Sequence, residues 1–265
     1  MTMKIKDGVT YTTEKGTRPH QEDRYFFQRI QGKGFRGWFL AVLDGCGGTK
    51  TVDICARELD TLIPVFDFSD PEQALRKLVA HLQYAVRDFE DGSTFSAVCI
   101  REDTDIAFVA ILGDSPVFIW DEEKKFHMSP EHNVDNATEL EMAVSRGGNY
   151  AEGRVWGKQG FGIKALRVLG VAGMGTIVSH EPVIYSIPKP RWIALATDGL
   201  FKLCRYSRKE IITQMERFAK DRANVYEIIA WARTGVMVDN TTFLVWNAPP
   251  AKKRKYRRKN PGMSA

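Results

Sequence analysis

The chain has 265 residues, 43% hydrophobic and 27% charged, which excludes a disordered or fibrous protein and leaves room for one sizeable core. No apolar run reaches the ~18 residues needed to span a bilayer, and the polar start carries no hydrophobic signal region, so neither membrane insertion nor secretion is expected. The net charge of +5 is uneven: seven of the eight residues 252–259 are Lys or Arg, so the rest of the chain is slightly acidic.

In chain order, residues 24–30 are rich in aromatics and residues 37–43 form a nearly continuous apolar run. Both read as strands, the second one buried. That run ends in the glycine turn Asp44-Gly-Cys-Gly-Gly48, and a helix is expected from about 51 to 63. Ser69 or Asp70 can cap a second helix, Pro71 fits its first turn, and Leu75, Leu78, Val79, Leu82, Val86 and Phe89 form its core-facing stripe. Three short strands follow at 94–100, 105–112 and 116–120, and the short links between them predict antiparallel neighbours. Residues 136–146 read as a helix stopped by Gly147-Gly148. The glycine-rich, irregular stretch 149–176 is long enough to predict a functional flap. A buried strand at 192–197 ends at Asp198-Gly199, helices fill 207–220 and 224–233, and Asp239-Asn240 precede a last strand at 241–246. Strands clustered at both ends with helix pairs between them predict an α+β fold, helices covering a mostly antiparallel sheet system, in one domain over residues 1–249.

Residues 250–265 are expected to be a disordered basic tail, because so dense a charge block repels itself. A nucleic acid, another acidic partner, a membrane surface or a nuclear import receptor could read residues 252–259; solvation alone is the plain alternative. Cys46, Cys55, Cys99 and Cys204 form no C-x-x-C pair, so reduced thiols and a cytoplasmic location are expected, with a nuclear one open if the tail is an import signal. A monomer is expected.

The chemistry lies in the carboxylates. Asp44 and Asp198 follow apolar strands and Asp239 precedes one. A strand end holds a side chain rigidly beside a cleft, and the glycine after Asp44 and Asp198 lets backbone approach an ion. If these ends meet Glu22-Asp23, mutual repulsion would raise the carboxyl pKa values unless cations neutralise them. Oxygen donors with no His/Cys set favour Mg²⁺ or Mn²⁺ over zinc. Two such ions, roughly 3.5–4 Å apart, can activate a water and neutralise a phosphoryl group. Arg18 offers a planar fork for phosphate oxygens. Any one Asp-Gly alone is an ordinary turn, and Arg18 alone an ordinary surface residue.

The ordered set carries more. Arg18-Pro-His-Gln-Glu-Asp23, Asp44-Gly-Cys-Gly-Gly48, Gly92-Ser-Thr94, Gly113-Asp-Ser115, Leu166-Arg-Val-Leu-Gly170, Asp198-Gly199 and Asp239-Asn-Thr-Thr242 follow one another. This resembles the metal-dependent Ser/Thr protein phosphatases, the PPM or type 2C family, over about residues 8–247. The resemblance implies a central β-sandwich of two antiparallel sheets flanked by helix pairs, with two core ions at one edge. It implies that Asp44 bridges the ions, that Asp198, Asp239 and the Gly45 carbonyl hold one, that Glu22 serves the other through water, and that Asp23 supports the cluster. Arg18 would bind substrate phosphate, and water would attack phosphoserine or phosphothreonine of a protein directly.

Three positions depart from the family pattern. Cys46 stands where the family has a His thought to protonate the leaving alkoxide, and a thiol with a pKa of ~8.5 is a different acid. Lys202 stands where many members carry an acid that, with Asp114, helps hold a third ion, so Asp114 becomes a weaker metal candidate. Val171 stands where the family often has Asp. Two rivals to an active phosphatase follow: a pseudophosphatase or phosphoprotein-binding module of the same fold, favoured by Cys46 and Lys202, and a nuclease that uses the basic tail.

Overall fold

The computed structural model describes residues 4–6, 8–32, 34–157 and 160–249. The basic tail therefore lies outside the described residues. Two antiparallel sheets dominate. The six-stranded sheet runs in the order β1 (Lys4–Lys6), β2 (Val9–Glu14), β17 (Thr241–Asn247), β16 (Pro190–Ala196), β9 (Val117–Asp121), β10 (Phe126–Met128). The five-stranded sheet runs β15 (Val183–Pro188), β8 (Ile106–Leu112), β7 (Phe95–Arg101), β4 (Phe35–Leu43), β3 (Arg24–Gly32).

Helices α1 (Lys50–Leu62) and α2 (Pro71–Val86) cover the outer face of the five-stranded sheet. Helices α4 (Arg208–Asp221) and α5 (Val225–Thr234) cover that of the six-stranded one. Each sheet is thus buried on both faces, which is why β4 reads as unbroken apolar sequence. Its period-2 alternation sends Trp38, Leu40 and Val42 into the sandwich and Phe39, Ala41 and Leu43 towards α1 and α2. In the same way β17 sends Leu244 and Trp246 inward and Phe243 and Val245 towards α4 and α5. The α+β sandwich flanked by helix pairs is the expected one.

Local chemistry sets the helix starts. Asp70, rather than Ser69, caps α2 by accepting from the Gln73 N–H. Ser207 with Glu210, and Asn224 with Glu227, form reciprocal capping boxes at α4 and α5. Asn136 caps α3 (Ala137–Ser145).

The structure adds elements that periodicity missed. β2 and the half-exposed edge strand β15 were not anticipated, nor was β10. The stretch 149–176 is more ordered than expected: β11 (Asn149–Ala151), β12 (Arg154–Trp156) and β13 (Gly162–Ile163) make a small antiparallel sheet. It packs with α3 on its own cluster, including Val155, Ile163 and Met174. A further small sheet joins β14 (Leu169–Gly170), β6 (Gly92–Ser93) and β5 (Gly45–Cys46), so the turn after Asp44 is partly paired strand. No disulfide joins the four cysteines. Among the described residues, no helix is long and apolar enough to cross a membrane.

Candidate active site

One end of the sandwich gathers the loops that follow or precede its central strands. The segment before β3 brings Arg18, Glu22 and Asp23; the end of β4 brings Asp44; the link after β8 brings Asp114; the end of β16 brings Asp198; and the start of β17 brings Asp239. A cleft of about 270 Å³ is lined by Arg18, Glu22, Asp44, Gly45, Cys46, Asp114, Asp198, Lys202 and Asp239, with Arg154, Phe161 and Lys164 of the flap at its side. Asp23 does not line it but is buried, 3% exposed. The structure therefore brings all the sequence-derived candidates to one place.

Two glycines make the close approach possible. A Cβ on Gly45 would stand 2.7 Å from the Glu22 carbonyl oxygen, and one on Gly199 would stand 1.9 Å from that of Asn240. Each contact lets a strand end lie against the segment carrying the next acid. The flap closes on the same turn: a Cβ on Gly47 would meet the Phe161 ring at 3.1 Å.

Hydroxyls and amides that the sequence reading left without roles hold the acids in place. Thr94 Oγ1 accepts from the Asp44 N–H (3.1 Å), and Thr197 Oγ1 donates to Asp23 Oδ2 (2.8 Å). Asn133 Nδ2 donates to Asp114 Oδ2 (3.1 Å). Asn240 accepts from the Glu22 N–H (2.8 Å) and donates to the Lys15 and His20 carbonyls (2.8 and 3.0 Å), pinning the loop that carries Arg18 and Glu22. The signal for Asn240 was present in its place beside Asp239; that for Thr197, a buried strand-end threonine, is too common to be read.

The electrostatics divide the cluster. Burial, then the charges of Asp198 and Asp23, raises the Asp44 carboxyl well above the usual range. Burial likewise pushes Asp23 and Asp114 up to about 7, each with help from the Asp198 charge. Burial raises Glu22 too, against the opposing charge of Arg18. These are groups that require a cation or a proton. Asp239 behaves oppositely. Burial would raise it, but the Lys202 hydrogen bond and charge, the Asn240 N–H and Arg18 outweigh burial and hold it below the usual range.

Lys202 reaches further into the cluster than its place beside Asp114 implies. Its ammonium is not merely a neighbour of Asp114 that discourages a third ion. It hydrogen-bonds Asp198 at 2.7 Å and Asp239 at 2.6 Å. Arg18 is also engaged, with Nε 2.8 Å from Asp239 Oδ1 and Nη2 2.9 Å from Oδ2, while its side chain remains 53% exposed. The physical reason is charge: a lysine four residues after Asp198, on the short 3₁₀ turn Asp198–Lys202, finds two carboxylates within reach. Among the described residues no three or more His, Cys, Asp or Glu side chains are arranged to hold a metal ion as they stand. The open donors are nevertheless of the right kind: Asp23 Oδ1 is buried without a partner, and no donor among the described residues reaches the Asp44 or Glu22 carboxylates.

Cys46 is half-buried and packs against the flap cluster with Phe161. Burial, and then the Asp44 charge, pushes its thiol up to about 12, so it keeps its proton at neutral pH. Val171 is buried in left-handed backbone (φ 52°) and donates its N–H to the Asp91 carbonyl.

Comparison with known proteins places these features in a wider set. A model of the family described as protein phosphatase 2C matches residues 8–233. The mouse integrin-linked kinase-associated serine/threonine phosphatase 2C is 29% identical over 191 residues, covering 62% of this chain and 47% of its own length. The rice protein named probable protein phosphatase 2C 55 is 24% identical over 261 residues, 91% of this chain and 66% of its own. This chain spans about half the length of the mouse relative. Among solved structures, a serine-threonine phosphatase 2C from Toxoplasma gondii superposes with a TM-score of 0.67 at 18% identity, covering 91% of this chain and 94% of that one. A C. elegans sex-determining protein gives 0.67 at 21% identity, covering 91% and 65%.

Proposed function

The chain belongs to the protein phosphatase 2C family, and from that premise we propose that it is a metal-dependent protein serine/threonine phosphatase, hydrolysing phosphomonoesters of proteins. The observation that carries this reading is the convergence of Glu22, Asp44, Asp114, Asp198 and Asp239 on one cleft, with Asp23 buried behind them and burial raising several of these acids into the range where a cation is needed.

In this reading Asp44 would serve a pair of Mg²⁺ or Mn²⁺ ions, with Glu22 and Asp23 beside one, and with Asp198, Asp239 and the Gly45 carbonyl as donors for the other, which requires Lys202 to leave those two carboxylates. Asp114 is a further, weaker candidate. A bound divalent ion supplies a water of lowered pKa and neutralises phosphoryl charge. The chain's own groups do the rest. Arg18, half exposed at the cleft mouth, swings its fork from Asp239 to phosphate oxygens, a bidentate match that a lysine could not make. Arg154 and Lys164 at the flap side supply positive charge for an anionic peptide. Phe161, against the Gly47 turn, limits water access. The Cys46 thiol, holding its proton at neutral pH, is a poor donor to a leaving alkoxide, which favours activated leaving groups.

One observation favours a second reading. Lys202 sits on two of the expected ligands, as it would in a pseudophosphatase that binds phosphoproteins without turning them over. The deciding experiment is Mn²⁺-dependent hydrolysis of para-nitrophenyl phosphate and a phosphothreonine peptide. Turnover of either supports the enzyme; none on both, at any metal concentration, leaves the binding module.

A further inference from the structure

The two halves of the acidic cluster differ in how many acceptor positions remain open. Asp239 Oδ1 takes Arg18 Nε and the Asn240 N–H; Oδ2 takes Arg18 Nη2 and Lys202 Nζ. An ionised carboxylate offers about four acceptor positions, so Asp239 is saturated. Asp198 presents both oxygens to Lys202 Nζ at 2.7 Å. An ion needs oxygens at about 2.0–2.1 Å, so these two carboxylates cannot hold Nζ and an ion between them at once. In the other half, the Asp44 and Glu22 carboxylates accept nothing among the described residues, and Asp23, 97% buried by its 3% exposure, leaves Oδ1 without a partner.

We propose that Lys202 is a tethered replacement for one of the two cations of this site. The chain then takes one divalent ion, on Asp44 with Glu22 and Asp23 beside it, and the Lys202 ammonium, backed by Arg18, supplies the second positive centre. Lys202 reaches the cleft from a short turn fixed at its start by the packing of Gly199 on Asn240, so its charge is delivered from a rigid base. A fixed amine also makes that half of the site independent of the metal concentration.

This ion count rests on the phosphatase reading above, but it can fail separately. The probe is Mn²⁺ alone, titrated calorimetrically into the chelator-stripped full chain, with electron paramagnetic resonance of the bound ion. Wild type is expected to bind one Mn²⁺ with the spectrum of an isolated ion. Lys202→Ala is expected to bind two, with the exchange coupling of ions roughly 3.5–4 Å apart. Lys202→Gln, which keeps a polar side chain there, guards against misfolding of the alanine variant and should also bind two; Lys202→Arg should bind one. A coupled pair in wild type overturns the proposal, as does a single ion, or none, in both neutral variants. Phosphopeptide hydrolysis is read in parallel. One ion in wild type with no turnover in any variant sinks the phosphatase reading and leaves the ion count standing. Turnover with two ions in wild type does the reverse.

Discussion

β4 and β16 both cross the core, both end in Asp-Gly, and both need that glycine to lie against a neighbouring carbonyl. Yet Asp44 emerges beside Glu22 and Asp23 with no donor among the described residues on its carboxylate, while Asp198 is met by the ammonium of Lys202. The same backbone device therefore delivers one acid that demands a counter-ion and one that already has it. A strand end sets where a carboxylate points; the residues of the following turn set whether it is available. In the first case that turn is β5, whose Cys46 packs into the flap cluster; in the second it is the 3₁₀ turn that carries Lys202.

The largest effect should come from removing either strand-end acid. Asp44→Ala and Asp198→Ala should each cut metal-dependent turnover by about a thousandfold or more, since the assistance they organise is worth several kcal/mol at about tenfold per 1.4 kcal/mol. Circular dichroism should show the fold intact. Near-wild-type turnover in either variant would remove it from the catalytic site. The glycines come next. Gly199→Ala should destabilise by about 3 kcal/mol, because a Cβ 1.9 Å from a carbonyl oxygen forces the backbone apart. Gly45→Ala, at 2.7 Å, should cost less. Urea unfolding midpoints in the reverse order would contradict the contact geometry.

pH sharpens the contrast. Asp23 and Asp114 have folded-state values of about 7 against an ordinary 3.8. Between these values the folded chain binds more protons at these two acids than the unfolded one, so they lower stability as pH rises through that window, against the opposite effect of the single His132, whose burial holds it down to about 4. The chelator-stripped protein should therefore melt at a lower temperature at pH 7.5 than at pH 5, and saturating Mn²⁺ should flatten the slope. A melting temperature that climbs with pH under chelation would show that these acids are already compensated. The smallest effect is expected from Cys46→His, which should leave phosphopeptide hydrolysis unchanged or raise it a few-fold; a large loss would give the thiol a role of its own.

Much of this site could be read in advance, because apolar runs ending in Asp-Gly are local signals. Asp44, Asp198 and Asp239 were placed by their strands alone, and Glu22 and Arg18 by the motif around them. What could not be read is long-range. β2, with the pattern Val-Thr-Tyr-Thr-Thr-Glu, has little apolar content and becomes a strand because β17, more than two hundred residues later, pairs with it. β15 is a half-exposed edge, whose neighbour β8 supplies the order that its own alternation does not announce. The reach of Lys202 to Asp198 and Asp239 was not legible, because the turn that carries it is 3₁₀ and the side-chain direction on so short a turn depends on which carboxylates surround it. The flap was legible as a long glycine-rich connection, but its three short strands were not, since each has only two or three residues.

β17 lies between β2 and β16. A ribosome releases the chain from its N-terminus at about 5–20 residues per second, so β2 waits for its neighbour until the sheet's last strand has emerged. Until then the six-stranded sheet is two fragments, and the loop bearing Arg18 and Glu22 has no Asn240 to anchor it. Such high contact order makes closure late and slow. A chain shortened to end before Asp239 would keep most of the core but would lack both the strand that joins β2 to β16 and the Asn240 side chain that pins the loop bearing Arg18 and Glu22.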